Sequence, residues 1–347
     1  QALIMAKKGV LLINVGTPDE PTVKSVKKYL REFLLDPDVI DIPAPLRHLL
    51  VRGIILRVRP KKIAPLYQKI WMDDGSPLRV YSDRITKSLQ SKLEDIEFEF
   101  SMRYGNPSIY DALLRLKNKG VEDLLILPMF PHYAQATTES SLKHTYKQLK
   151  KIDWNPQITE MGHFETDEEY VIPLANSINS QLDDETHLLF SYHGLPVSHV
   201  KRIDSSKKHC QKIDDCCSIK SEANSLCYGH HCMETTKTVV GLLGLDSKRW
   251  SISYQSRIGP VKWLEPSTMN KVEELVKRGV KKLAIVAPAF LADGLETLEE
   301  LDIGIREHFL ELGGQELTVI KCLNDNEDWV EGLGKMITNK FKSEVLI

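Results

Sequence analysis

The chain has 347 residues, of which 42% are hydrophobic and 27% charged, and its formal charge is -2. That length suits two domains or one large one with buried cores, and the near-neutral balance supplies no global field to attract nucleic acid. Apolar stretches are soon broken by charges, and no basic n-region precedes an apolar h-region, so neither a transmembrane helix nor an export signal is expected.

Residues 1–5 read as tag and start residues, with Met5 ahead of Ala6-Lys7-Lys8-Gly9 as the native start. Residues 8–15 (KGVLLINV) form a strand that ends in the turn Gly16-Thr17-Pro18. Val23, Val26, Leu30, Phe33 and Leu34 then repeat at helical spacing. Residues 46–62 mix Leu49, Leu50, Ile54 and Ile55 with Arg47, Arg52, Arg57, Arg59, Lys61 and Lys62. Such a basic amphipathic helix can lie on a membrane or cover an anionic ligand, but the simpler reading docks it on the body with a solvated basic face. A turn-rich link, Trp71-Met72-Asp73-Asp74-Gly75-Ser76-Pro77-Leu78, leads into a helix from Ser82.

Further strands are expected near residues 98–104, 123–130, 158–164, 187–192, 250–255, 281–290 and 317–323, with helical patterns between most of them. This alternation predicts an α/β fold with parallel sheets and right-handed crossovers. The stretch from Gly120 (GVEDLLILPMF) recurs 159 residues later from Gly279 (GVKKLAIVAPAF), with Leu124, Ile126, Thr138 and Leu142 matching Leu283, Ile285, Thr297 and Leu301. Two similar lobes facing each other across a cleft account for this more simply than a single repeated sandwich.

The stretch HLLFSYHGLP, residues 187–196, is a buried strand that stops abruptly at His193. Ligands of open α/β sheets sit beyond the carboxyl ends of strands, which places this histidine where chemistry occurs. Histidine serves as a general base near neutral pH and ligates Fe²⁺ or Zn²⁺; the competing reading is a hydrogen-bonded wall residue. Glu296 and Glu300 are four apart and share a helix face, which suits a proton relay or a cation path. A well-capped helix start explains the same acids equally well. No Gly-x-Gly-x-x-Gly follows a strand, and neither a Walker loop nor a Gly-x-Ser-x-Gly elbow occurs, so dinucleotide, NTP and serine-hydrolase chemistry lose support. Of six cysteines, Cys210, Cys216, Cys217, Cys227 and Cys232 crowd one segment, which in a reducing cytoplasm favours metal ligation over disulfides.

Together NVGTPDEP, WMDDGSPL, SYHGLP, YQSRIGP with Trp263, and LADGLETLEELDI resemble the ferrochelatase family, from about Lys8 to about Leu333. The resemblance implies insertion of Fe²⁺ into protoporphyrin IX with release of two protons, in a cleft between two Rossmann-like lobes. It implies an N-terminal lobe over residues 6–175 with a lid at 46–78, a C-terminal lobe over 176–325, and a helix at 326–347 packing back on the first lobe. His193 matches the family's pyrrole proton acceptor or iron ligand, Glu296 the glutamate facing it, and Glu300 the acidic row behind. Arg103, Tyr104, Trp263 and Phe290 match porphyrin-pocket positions, and Ser256 and Arg59 join them as substrate-binding candidates. The basic helix becomes the mobile lip over that pocket.

Three departures stand out: Gly294 replaces a relay histidine of the mitochondrial enzymes, Val15 replaces a tyrosine of the coproporphyrin-metalating relatives, and Gln135 replaces a cluster cysteine of the animal enzymes. Within an insert at 200–232, Cys210, Cys216, Cys217 and Cys227 form a C-x5-C-C-x9-C pattern. By resemblance to bacterial relatives these four hold a [2Fe-2S] cluster; a structural Zn²⁺ with His230 or His231 is the alternative, ahead of unligated thiols. Cys232 is left out of the set, and Cys322 is read as core. The implied partners are protoporphyrin IX and Fe²⁺, with no nucleic acid and with peripheral contact on the inner membrane face. A chelatase for another tetrapyrrole or metal, and a non-catalytic tetrapyrrole-binding protein, stay open as alternatives.

Overall fold

A computed structural model describes residues 6–257 and 259–343; the expected tag residues 1–5 lie outside the described residues. The chain divides into two compact units. The first comprises the chain up to Phe130, Gln135–Gly162, and everything from Asp325 onward; the second comprises Pro131–Ala134 and His163–Asn324.

Four strands build the first unit: β1 (Lys8–Thr17), β2 (Ile96–Gly105), β3 (Asp123–Pro128) and β4 (Gln157–Glu160). They are all parallel, in the order β2-β1-β3-β4. The second unit repeats the plan with β5 (His187–His193), β6 (Trp250–Gln255), β7 (Lys282–Val286) and β8 (Glu316–Val319), in the order β6-β5-β7-β8. Central strands covered by helices on both faces must be apolar throughout, and residues 10–13 of β1 and 188–190 of β5 are 1% exposed or less. In the first unit Leu11, Ile13, Leu124 and Ile126 pack against Ile109, Leu113 and Leu116 of the helix Ile109–Asn118. In the second, Leu189, Leu283 and Ile285 pack against Val272 and Leu275 of the helix Thr268–Lys277. Matching serines cap the two helices: the Ser108 hydroxyl accepts from the Asp111 N–H, and Ser267 from Asn270.

The repeat extends to register. Leu11 pairs with Ile126, and Leu189 with Ile285, the repeat partner of Ile126. Four residues on in each strand, Val15 holds in the first sheet the place that His193 holds in the second. Both are half-buried. At the end of β1, Gly16 has φ of +126°, and a Cβ there would lie 1.9 Å from the Tyr104 carbonyl oxygen, so only glycine fits.

Several element ends are tighter than the sequence suggests. β3 stops at Pro128, which has no N–H for the ladder, and β7 stops at Val286, two residues short of Pro288. The helix expected from Ser82 begins at Pro77, where a missing N–H costs nothing. The C-terminal helix Glu327–Ser343 packs within the first unit, with Lys92 Nζ 3.7 Å from Glu327 and 3.8 Å from Glu331.

The basic segment runs Ala44–Leu50, then a π-helical turn Val51–Ile55, then Leu56–Ile70. The expectation of a docked apolar face is corrected here. Leu46, Leu49, Ile54 and Val58 are 57%, 68%, 61% and 51% exposed, while the buried seam is Val51, Leu56, Pro60, Ala64 and Tyr67. Arg47, expected on a solvated face, is buried and donates from Nη1 to the carbonyls of Ile40 and Ile42. Among the described residues, no helix is long and apolar enough to cross a membrane.

Candidate functional site

His193 ends β5, the central strand, with β6 on one side and β7 on the other. Its Nδ1 lies 2.7 Å from the Gly194 carbonyl oxygen. A carbonyl only accepts, so Nδ1 carries a proton, and in the neutral ring the lone pair is on Nε2. The peptide joining His193 to Gly194 is pinned at both ends. Its N–H donates to the Gln255 carbonyl at 2.7 Å, and its C=O accepts from the Tyr228 hydroxyl at 2.8 Å. Gly194 is also a close-approach glycine, since a Cβ would stand 2.8 Å from the Gln255 carbonyl oxygen and 3.2 Å from the Trp263 ring. Phe290 meets the imidazole edge-on, with ring centroids 6.1 Å apart.

The acids stand on a π-helix, Glu296–Ile305. Such wide turns are rare and often mark functional sites. Burial pushes the Glu296 carboxyl up, with repulsion from Glu300 in the same direction and attraction to His193 opposing both. Glu300 is held as an acceptor: the Ser256 N–H donates to Oε1 at 2.8 Å and the Ser256 hydroxyl to Oε2 at 2.5 Å. Ser256, expected as a substrate contact, gives its N–H and its hydroxyl proton to this carboxylate from a left-handed backbone with φ of +64°. A side chain on Gly294 would meet Glu296 Oε2 at 3.3 Å. Gln255 ties the two halves of the site together. It is 3% exposed, its Nε2 donates to the Glu296 carbonyl at 2.9 Å, and its Oε1 accepts from Ser191 Oγ at 2.7 Å. Gln255 lies inside the YQSRIGP motif, yet nothing in the sequence points to its amide; its position beside His193 in register does.

His193, Glu296, Glu300, Ser256, Trp263 and Phe290 therefore gather in the second unit. Arg59, Arg103 and Tyr104 belong to the first. There, Asp36 Oδ2 accepts from Arg103 Nη2 at 2.6 Å, from the Tyr104 hydroxyl at 2.7 Å and from Ser140 Oγ at 2.6 Å. Burial alone would raise the Asp36 carboxyl, but the Ser140 and Tyr104 hydroxyls, the Asp38 N–H and the Arg103 charge hold it below its ordinary value. Arg103 is engaged with this acid, and Tyr104 is 1% exposed. Arg59 is half-buried, and burial lowers its guanidinium pKa. Asp36 had no sequence signal, because an aspartate before a proline at a helix end resembles any turn acid.

The cysteine segment is a turn-rich loop after the helix Val197–Ile203, and its turns have their own organiser. Asp204 Oδ1 accepts from the N–H groups of Ser206 and Lys207 and from the Ser206 hydroxyl, and Oδ2 accepts from the N–H groups of His209 and Cys210. These donors hold its carboxyl far below the usual range. Cys210, Cys216 and Cys227 are buried, Cys217 is half-buried, and all six cysteines are free thiols. Burial raises Cys210 to about 11, with the neighbouring Cys227 and Cys216 adding to it, and burial followed by the other three thiols raises Cys217 too. These four sulfurs thus sense one another.

Cys227 stands at the N-cap position of the helix Tyr228–Leu243 without a side-chain cap hydrogen bond, and burial raises its thiol, with the nearby backbone of His230 and Gly229 opposing that in part. Gly229 has no room for a side chain: a Cβ would lie 2.9 Å from Cys217 Sγ and 4.0 Å from Cys227 Sγ. Cys217 and Cys227 both face Gly229, and four neighbouring thiols supply the donor type an iron–sulfur cluster takes, although no three of their sulfurs lie within 4.8 Å of one another.

His163, Glu165 and His231 also approach one another, with His163 Nδ1 at 2.6 Å and His231 Nε2 at 3.7 Å from the Glu165 oxygens. Their hydrogen bonds assign protons rather than a metal. His231 Nδ1 accepts the Tyr133 N–H at 3.1 Å, so Nε2 must carry the proton, which it donates to the Ser225 carbonyl at 2.8 Å. With both nitrogens engaged, His231 is not offered to a zinc ion at the cysteines either.

The ferrochelatase family profile matches residues 7–341. A ferrochelatase of Bdellovibrio bacteriovorus is 40% identical over 96% of this chain and 99% of its own length. One from Pseudomonas aeruginosa is 38% identical over 96% of this chain and 98% of its own. Among solved structures, SirB from Bacillus subtilis with Fe³⁺ aligns at a TM-score of 0.52 and 10% identity, over 96% of this chain and 95% of SirB, a likeness of fold.

Proposed function

From a chain that belongs to the ferrochelatase family and inserts Fe²⁺ into protoporphyrin IX in haem synthesis, we infer which residues carry the reaction. The reaction must strip water from Fe²⁺, deform a flat macrocycle and remove two pyrrole protons. His193 Nε2 takes a pyrrole proton, because the Gly194 carbonyl keeps the other nitrogen protonated and the lone pair free. Glu296, its carboxyl raised by burial, receives the proton from the imidazolium and returns His193 to its starting state. Glu300, held by both donors of Ser256, passes the charge outward along the same helix face. Phe290, half-buried at the imidazole edge, supplies flat apolar surface for the macrocycle, with the Trp263 ring packed beside Gly194.

The single observation that carries this reading is a histidine whose Nδ1 is held by a carbonyl, so that its neutral ring offers Nε2, near a half-buried acid. His193→Ala is expected to abolish haem formation from anaerobic Fe²⁺ and protoporphyrin while porphyrin still binds. Full turnover in that variant would refute it.

Cys210, Cys216, Cys217 and Cys227 hold a [2Fe-2S] cluster, which supplies a one-electron couple when bound. Support comes from the crowding of free, largely buried thiols in one segment and from Gly229, whose missing side chain leaves room beside Cys217 and Cys227 Sγ. The enzyme works in the cytoplasm against the inner membrane face. The exposed row Leu46, Leu50, Ile54 and Val58, spaced four apart with Arg52 and Arg57 alongside, suits an anionic bilayer surface. Replacing Ile54 and Val58 by serine is expected to weaken co-sedimentation with anionic vesicles by about a hundredfold or more, since each buried apolar side chain is worth about 1.5–3 kcal/mol. Unchanged sedimentation would remove the membrane reading.

A further inference from the structure

The first turn of the helix Tyr228–Leu243 touches both proposed sites of the second unit. On one side it carries the cysteine pocket. Cys227 is its cap, Gly229 lies against Cys217 Sγ, and His230 Nδ1 donates to the Cys217 carbonyl at 2.7 Å. On the other side Tyr228, 7% exposed, donates its hydroxyl to the His193 carbonyl at 2.8 Å. Its ring is fixed by His132, edge-on at 6.0 Å, so the hydroxyl has little freedom to follow another acceptor. A cysteine of the pocket, Cys227, is therefore the immediate chain neighbour of the residue that pins the His193–Gly194 peptide.

That peptide decides where the imidazole points. Its other end is pinned to Gln255, and the next carbonyl, that of Gly194, holds His193 Nδ1. A shift of Cys227 rotates the first helical turn, moves the Tyr228 hydroxyl, and turns the peptide plane that positions Nε2.

We propose that Tyr228 is a positioning residue that makes the orientation of His193 depend on whether the four-cysteine pocket is filled. The proposal rests on the reading of His193 as the base and of the cysteines as cluster ligands. When the pocket is filled, Cys227 is anchored and Tyr228 holds the peptide. When it is empty, Cys227 is no longer anchored and the alignment is lost, with little effect on the surfaces that bind the macrocycle.

The test compares four anaerobically purified full-length proteins: wild type, Tyr228→Phe, Cys217→Ser and the double variant. Iron and sulfide content with visible absorption report the cluster, protoporphyrin fluorescence reports binding, and haem formation gives kcat. Tyr228→Phe is expected to keep the cluster and the porphyrin affinity while kcat falls about tenfold, the order of one lost buried hydrogen bond at the reacting group. Cys217→Ser loses the cluster and about the same factor in kcat, and the double variant is within about twofold of either single one, because both break one linkage. Wild type stripped of iron by a chelator must show the same kcat loss, which covers the case that Cys217→Ser fails to fold.

Wild-type kcat in Tyr228→Phe, or losses that multiply to about a hundredfold in the double variant, overturns the proposal alone. Wild type purified without iron and sulfide overturns it together with the cluster assignment. Full turnover in His193→Ala overturns it together with the base assignment.

Discussion

Gln255 is the residue whose removal should say most about how the base and the acid are kept in step. Gln255→Met preserves length and flexibility while deleting both polar contacts of the amide. Ser191 Oγ loses an acceptor but still lies 2.8 Å from Thr268 Oγ, so it re-pairs locally. The Glu296 carbonyl, at the start of the π-helix, stays an intrahelical acceptor but loses its side-chain donor. The net loss is one hydrogen bond, about 1 kcal/mol. For a unit of this size, at about 2–4 °C per kcal/mol, melting of the second unit should drop by about 2–4 °C. Turnover should fall further than stability suggests. Freed from Gln255, the start of the π-helix shifts Glu296 relative to Nε2, and a misplacement of about 1 Å can cost about a hundredfold. Calorimetry and single-turnover haem formation below the melting range measure the two effects separately. A variant that melts lower but turns over at the wild-type rate would show that Gln255 supports the fold and nothing more. A variant unchanged in both would refute the reasoning outright.

Two further outcomes follow from groups outside the reacting centre. Asp36→Asn should destabilise the first unit by about 3 kcal/mol at neutral pH, because Arg103 loses its buried partner. Since folding depresses the Asp36 pKa below 3.8, its contribution is fully present above that value and is lost as pH falls through the folded pKa. Urea midpoints of wild type and variant should therefore converge only in strong acid; a gap that closes already near neutrality would contradict the assignment. Gly229→Ala sets two effects against each other. Alanine favours the helix by about 1 kcal/mol, yet its Cβ would sit 2.9 Å from Cys217 Sγ. The expected result is loss of iron and sulfide from the purified protein, and an intact visible spectrum with raised stability would refute the packing argument.

The repeat made the α/β architecture legible before any coordinates, because a strand buried on both faces reads as an uninterrupted apolar run and the same run occurs twice. His193 and Glu296 were legible for a related reason: Gly-Leu-Pro after one strand and a run of acids after another mark the ends where a sheet opens. What stayed hidden depends on three-dimensional pairing. Nothing in the sequence distinguishes Asp36 from other acids, and only the fold brings three donors to one of its oxygens. Ser256 reads as a pocket hydroxyl until its left-handed backbone turns it onto Glu300. The 46–62 segment has helical periodicity, but periodicity does not say which stripe faces inward; Val51 and Leu56 took the core, and Leu49 and Ile54 were left outside. The π-helix beneath Glu296 is likewise invisible to any pattern built on 3.6 residues per turn.

The matched strand ends at Val15 and His193 give this molecule its own reference state. Both follow the same number of residues past an equivalent ladder pair, in sheets of identical order, within one polypeptide under one set of conditions. Amide exchange at Val15 reports what the scaffold alone imposes on such a position. Any excess protection or mobility at His193 over that baseline then belongs to the chemistry installed there, and can be read by subtraction inside a single sample.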